Sequence, residues 1–149
     1  MNLEPAKALM KNVRFTSRRK LPVIYQTEAS ECGLACLAMV ADYFGWQTDI
    51  IELRKSYPVS LNGADLKGLM YTAGKMQLQG RPVRAKLSAL SKLKIPCILH
   101  WEMNHFVVLK QVSGNKVIIH DPAKGEQTFT LEQISPYFTG VAIELHPTE

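Results

Sequence analysis

The sequence predicts an α+β fold, with a helical N-terminal half packed on a C-terminal antiparallel sheet, and three observations carry that prediction. Apolar residues recur at helical spacing in the first half of the chain and at strand spacing from residue 81 onward. Turn-forming residues cut the second half into short segments. Of the 149 residues, 46% are hydrophobic and 21% charged, enough apolar material for a single core of ordinary domain size.

Each element has its own signal. Leu34, Leu37, Ala41 and Phe44 repeat at three and four residues, so Cys32 to Phe44 reads as an amphipathic or fully buried helix closed by Gly45. Asp49 with Glu52 has the spacing of a capping pair for a short helix ending before Pro58. Leu66, Leu69, Met70 and Ala73 line a third helix that starts near Asn62 or Ala64. Strands follow at Arg81 to Lys86, Cys97 to Trp101, His105 to Val112, Lys116 to Asp121, Glu126 to Phe129 and Val141 to Leu145. A short helix near Leu131 interrupts them, where Thr130 and Gln133 have capping-box spacing before Pro136.

Composition excludes several classes. The chain is too apolar for a disordered protein, and it has neither the glycine period of a fibre nor the cysteine density of a secreted mini-protein. Its longest nearly unbroken apolar run, Cys32 to Ala41, is about half of the ~18 residues that begin to suggest a membrane span. The net charge of +5 is concentrated at one end. Six of the 18 basic residues (Lys7, Lys11, Arg14, Arg18, Arg19, Lys20) lie in the first 20 positions, opposed only by Glu4, and the remaining charges cancel. A basic, mobile N-terminal segment over residues 1–20 and one domain over 21–149 are therefore expected, with no nucleic-acid partner. The leader lacks an apolar signal-peptide region, and the three cysteines, odd in number and irregularly spaced, read as thiols of a reducing compartment, which points to the cytoplasm.

Chemistry concentrates at three places. Gln26-Thr-Glu-Ala-Ser-Glu-Cys32-Gly33 lies at the mouth of the first long helix, where unpaired backbone amides and the positive end of the helix dipole favour thiolate over thiol. Cys36 and Cys97, inside apolar runs, read as small buried residues. His105 opens the strand Phe106-Val107-Val108-Leu109, and Asp121 closes Val117-Ile118-Ile119-His120. If Ser113-Gly114-Asn115 forms a three-residue hairpin loop, Asp121 faces Val107 and His105 is its diagonal neighbour on the same side. A slip of one residue would put them on opposite faces. Zinc is the competing use of Cys32, Cys36, Cys97, His100, His105 and His120, but neither a pair of two-residue-spaced cysteines nor a His-Glu-x-x-His helix occurs.

Gln26 to Leu37, with His105-Phe-Val-Val-Leu and His120-Asp-Pro-Ala, closely resembles the papain-like peptidase domain of bacteriocin-exporting ABC transporters, the colicin V exporter type especially. The resemblance covers roughly residues 20 to 145, with the three motifs in the family's order and spacing. It implies a papain-like cysteine peptidase in which Cys32 is the nucleophile, His105 the general base and acid, Asp121 the residue orienting it, and Gln26 the oxyanion-hole side chain. No cofactor or metal is implied. The implied substrate is a bacteriocin precursor whose leader ends in two glycines, cut after the second and handed to the transmembrane and nucleotide-binding parts of the transporter on the cytoplasmic side of the bacterial inner membrane. One departure is visible: Glu31 stands where the family commonly has Asp before the nucleophile. A non-catalytic module that only docks cargo is the rival, and retention of all four residues argues for the enzyme. A thiol transferase or amidase on the same scaffold would share the site and differ in substrate.

Overall fold

Helix α1 (Cys32–Tyr43) is buried around its whole circumference from Cys32 to Ala41, which settles the choice between amphipathic and fully buried. The computed structural model that describes it covers residues 19–57, 65–102 and 104–148. Gly45 ends the helix as predicted: at φ +95° its N–H donates to the Asp42 carbonyl and the Trp46 N–H to the Ala41 carbonyl, the paired bonds of a left-handed helix stop. Helix α2 (Ile50–Ser56) is capped by the Asp49 carboxylate accepting from the Glu52 N–H at 2.8 Å. Helix α3 (Leu66–Lys75) is capped by Asp65, which accepts from the Gly68 N–H at 2.7 Å, so it starts later than expected. The predicted starts at Asn62 and Ala64 lie outside the described residues, as do residues 1–18 of the basic segment.

Six strands follow, β1 (Leu78–Arg84), β2 (Cys97–Trp101), β3 (His105–Ser113), β4 (Lys116–Asp121), β5 (Gly125–Thr130) and β6 (Phe138–Pro147). They form one antiparallel sheet in the order β1-β6-β2-β3-β4-β5. The short helix α4 (Leu131–Ile134) carries the predicted box: Thr130 accepts from the Gln133 N–H and Gln133 from the Thr130 N–H. Two strand boundaries were misread. β1 begins at Leu78 and ends at Arg84, and β6 runs from Phe138 to Pro147, because the two pair from Leu78↔Pro147 to Arg84↔Val141. Backbone pairing extends past the residues whose side chains alternate in polarity, and only the latter can be read from sequence.

Both faces of the sheet are covered. Ile98, Phe106, Val108 and Ile143 pack toward α1, α2 and α3, while Cys97, Leu99, Val107 and Leu109 pack on the other face with Leu90 and Ile134. Alternate residues of one strand thus enter two cores, which explains the continuous apolar runs of β2 and β3.

The β3–β4 hairpin differs from its predicted form in a way that matters at its far end. Ser113 pairs with Lys116, so the turn holds two residues, Gly114 and Asn115, and not three. Gly114 takes φ +60°, as a tight hairpin turn requires. A bulge between Leu109 and Gln111 then shifts the register by one, giving Leu109↔Ile119 and Val108↔His120. The next residues along that ladder are Val107 and Asp121, the pairing expected from a longer loop. The bulge and the shorter turn offset each other.

Candidate active site

The site forms where α1 begins, β3 begins and β4 ends. Residues Ala29–Glu31 make one tight helical turn that delivers Cys32 as the first residue of α1. Its side chain is almost enclosed, with the residue 4% exposed, and the sulfur lies 3.9 Å from the Asn104 carbonyl. Asn104 holds φ +55°, the left-handed conformation that asparagine tolerates, and so turns the chain from β2 into β3 just before His105.

His105 Nε2 is 2.7 Å from Asp121 Oδ1. The same carboxylate oxygen accepts the Ala123 N–H at 2.8 Å, so the turn that follows β4 holds the acid in place. The Cys32 thiol is near enough to His105 to act on the charge of the imidazole as well. With Nε2 on the carboxylate, Nδ1 is the nitrogen left to exchange a proton with sulfur. Burial opposes charge on this imidazole, but the Asp121 hydrogen bond, the Cys32 contact and the charges of both outweigh it and hold His105 up at about 9. Burial likewise raises the Asp121 acid, and its bonds from His105 and Ala123 overcome that and leave it below the usual carboxylate value.

Gln26 arrives on an extended strap, Pro22 to Gln26, laid against the end of β4. The Gln26 N–H donates to the Pro122 carbonyl at 3.0 Å, and the Pro22 carbonyl lies 2.8 Å from His120 Nδ1. His120 Nε2 faces Glu126 Oε1 at 2.9 Å, and Lys110 Nζ donates to that oxygen at 2.7 Å. The Gln26 side-chain oxygen is buried with no hydrogen-bond partner among the described residues.

Glu31, directly before Cys32, is buried and takes bonds from both sides. Its Oε1 accepts the Thr27 N–H at 3.1 Å, the Thr27 hydroxyl at 2.6 Å and the Glu28 N–H at 3.1 Å. Arg54 of α2 donates to it through Nε and, at 3.0 Å, through Nη2. The Arg54 bond, helped by those from Thr27 and Glu28, brings this carboxyl down to about 2 against the pull of burial.

Of the sequence-predicted residues, Cys32, His105 and Asp121 come together, and Gln26 reaches the turn after Asp121. Cys36 and Cys97 are fully buried as expected, and burial raises both thiols, Cys97 to about 12. Among the described residues there is no cluster of three metal-ligating side chains, and no helix is long and apolar enough to cross a membrane. Sequence reasoning missed Asn104, the Thr27–Glu31–Arg54 cluster and the strap contact of His120. In the sequence Glu31 stands out only as a departure from a motif, and its partner is 23 positions away with no periodic signal to mark it.

A model described as the peptidase C39 family matches residues 20–149. The chain belongs to the peptidase C39 family. It is therefore a cysteine peptidase domain. A probable microcin-H47 secretion/processing ATP-binding protein, MchF, and the colicin V secretion/processing ATP-binding protein CvaB, both from Escherichia coli, are each 47% identical to it over 130 residues. Each match covers 87% of this chain and 19% of the relative, so this C39 chain spans about a fifth of their length. A solved double glycine motif protease from an AMS/PCAT transporter, crystallised with the leader peptide, is 38% identical with a TM-score of 0.80, covering 89% of this chain and 96% of its own. The peptidase domain of Streptococcus ComA, a bi-functional ABC transporter of a quorum-sensing pathway, is 27% identical with a TM-score of 0.78, covering 87% and 100%. The helix-and-sheet architecture is thus the papain-like α+β fold of C39 peptidase domains.

Proposed function

We propose that this C39 domain removes a double-glycine leader from a bacteriocin-type precursor, cutting after the second glycine, and works within an ABC exporter on the cytoplasmic side of the inner membrane. The observation that carries the reading is the meeting of Cys32, His105 and Asp121 at one point, with His105 Nε2 on the carboxylate and the thiol close enough to act on the imidazole. The names of the relatives, secretion and processing proteins, and the leader-bound neighbour supply the substrate class.

In this reading Cys32 attacks the carbonyl of the second glycine as a thiolate paired with the His105 imidazolium. Gln26 and the Cys32 backbone N–H, at the start of α1, donate to the oxyanion that develops. The side-chain oxygen of Gln26 can only accept, so the donor in this role is its Nε2 amide group. His105 then protonates the departing amine, and on deacylation removes a proton from the water that attacks the thioester. Asp121 holds the ring so that Nδ1 faces sulfur throughout. No cofactor takes part. The basic segment 1–20 lies outside this chemistry, and residues 21–149 form the working domain.

Incubating double-glycine precursors with the wild-type chain and with Cys32→Ala, followed by mass spectrometry of the products, tests the proposal. Cleavage after the second glycine by wild type alone is the expected result. Tight binding of the precursor without cleavage would instead make the domain a docking module.

A further inference from the structure

Glu31 sets an electrostatic problem. It places a carboxylate, 1% exposed, on the residue next to the nucleophile, where negative charge has to develop on both sulfur and substrate oxygen. A neutral residue would avoid the repulsion, so the carboxylate must supply something in return. Its bonds show what that is. By accepting the Thr27 and Glu28 N–H groups and the Thr27 hydroxyl, Glu31 ties the start of the loop to its end. That loop is the whole covalent connection between Gln26 and Cys32. Arg54 completes the closure from outside: it neutralises Glu31 through Nε and Nη2, and the same Nη2 donates to the Thr27 hydroxyl. The Arg54 side chain is 40% exposed, and among the described residues its hydrogen bonds run to this loop.

We propose that Glu31 and Arg54 are a positioning pair, which fixes the Gln26 amide relative to the Cys32 sulfur and so sets the oxyanion geometry from helix α2. The inference rests on the assignment of Cys32 and Gln26 made above. Neither residue touches the substrate. Arg54 acts through Thr27 and Glu31 on its way to Gln26, and a displacement of ~1 Å in such an arrangement can cost up to ~10²-fold in rate. The planar fork matters as much as the charge, because one guanidinium must reach a carboxylate and a hydroxyl together.

The test measures kcat and KM for a leader-bearing double-glycine precursor with the full 149-residue chain. Arg54→Met, which keeps the length of the side chain at an exposed position, is expected to lower kcat by about 10-fold while KM stays within about 2-fold. Arg54→Lys, which restores charge without the fork, is expected to recover only part of that loss. The deciding arm is the double variant. In a Gln26→Ala background, Arg54→Met is expected to cost no more than about 2-fold, because the group it positions is gone. Equal losses in the two backgrounds, an effect on KM alone, or unchanged kcat would overturn the positioning role while leaving Gln26 as assigned. No loss on Gln26→Ala itself would overturn the oxyanion assignment on which the inference rests. Melting curves and alkylation of Cys32 in every variant separate these outcomes from unfolding.

Discussion

Cys32 and Cys36 are one helical turn apart, yet their surroundings differ in kind. Cys32 meets an imidazole and the helix start, whereas Cys36 is fully buried, and burial, with the charges of Cys32 and Asp121, raises its thiol well above the ordinary value. Cys32→Ala is expected to abolish cleavage, and Cys36→Ala or Cys97→Ala to preserve it at a stability cost of about 1 kcal/mol. Alkylation with peptide mapping, scored against activity, checks this. If blocking Cys36 alone stops turnover, the assignment fails. At His105 the folded value of about 9 exceeds the ordinary 6.5, so the stability it contributes is complete below about 6.5 and is lost as pH rises through about 9. The imidazolium needed by the ion pair is lost over the same range, and kcat/KM is expected to fall on the alkaline side near pH 9. Asp121→Asn removes the carboxylate charge that helps raise His105, so the alkaline fall is expected to move to lower pH, with turnover reduced far more than stability. A pH–rate profile and a melting curve of the same variant decide. Gln26→Ala is expected to cost ~10²-fold, as removal of one oxyanion donor does.

The strap and the two hairpins around the site act as elements, and Gly125 is a point where they approach closely. Its φ of +89° is left-handed, and a Cβ built there would stand 2.6 Å from the Tyr25 hydroxyl, next to Gln26. Gly125→Ala therefore strains the backbone and displaces the Tyr25 ring of the strap. A loss of about 1–3 kcal/mol in unfolding free energy is expected, with a fall in kcat beyond what the unfolded fraction explains. A variant that melts earlier but keeps full turnover would show that the strap tolerates the shift. What sequence could and could not reveal follows the same division. Helix caps at Asp49 and Thr130, the Gly45 stop and the apolar runs of β2 and β3 depend on residues close in sequence, and all were legible. The bulge at Lys110 was not, because it is settled where that strand must satisfy a turn at one end and its pairing with β4 at the other. The His105–Asp121 meeting was legible although the loop length was misjudged, since two register errors cancelled. Glu31 and Arg54 are joined only by the packing of α2 beside α1, which no spacing rule encodes.

For the whole molecule, all the excess positive charge lies in the first 20 residues while every candidate site residue lies beyond them. Deleting residues 1–18 is expected to leave kcat/KM on a free precursor nearly unchanged. A large fall in a folded deletion variant would assign substrate binding to that segment. Specificity follows from enclosure. A substrate that reaches an almost covered sulfur must be thin at the scissile bond, so replacing either glycine of the precursor by alanine is expected to cut the rate by ~10²-fold. Such a narrow contact yields little affinity, so a precursor lacking its leader is expected to be a poor substrate despite an identical scissile bond. Comparing kcat/KM for the full, truncated and Gly-to-Ala peptides tests both statements. The 4% exposure of Cys32 bears on redox survival as well. A thiol this enclosed is expected to react with small reagents such as hydrogen peroxide or iodoacetamide faster than with glutathione disulfide or bulky maleimides. In a reducing cell the enzyme would then be spared mixed disulfides without burying the sulfur beyond use. A covalent inhibitor would have to carry its warhead on a slender, glycine-like stem.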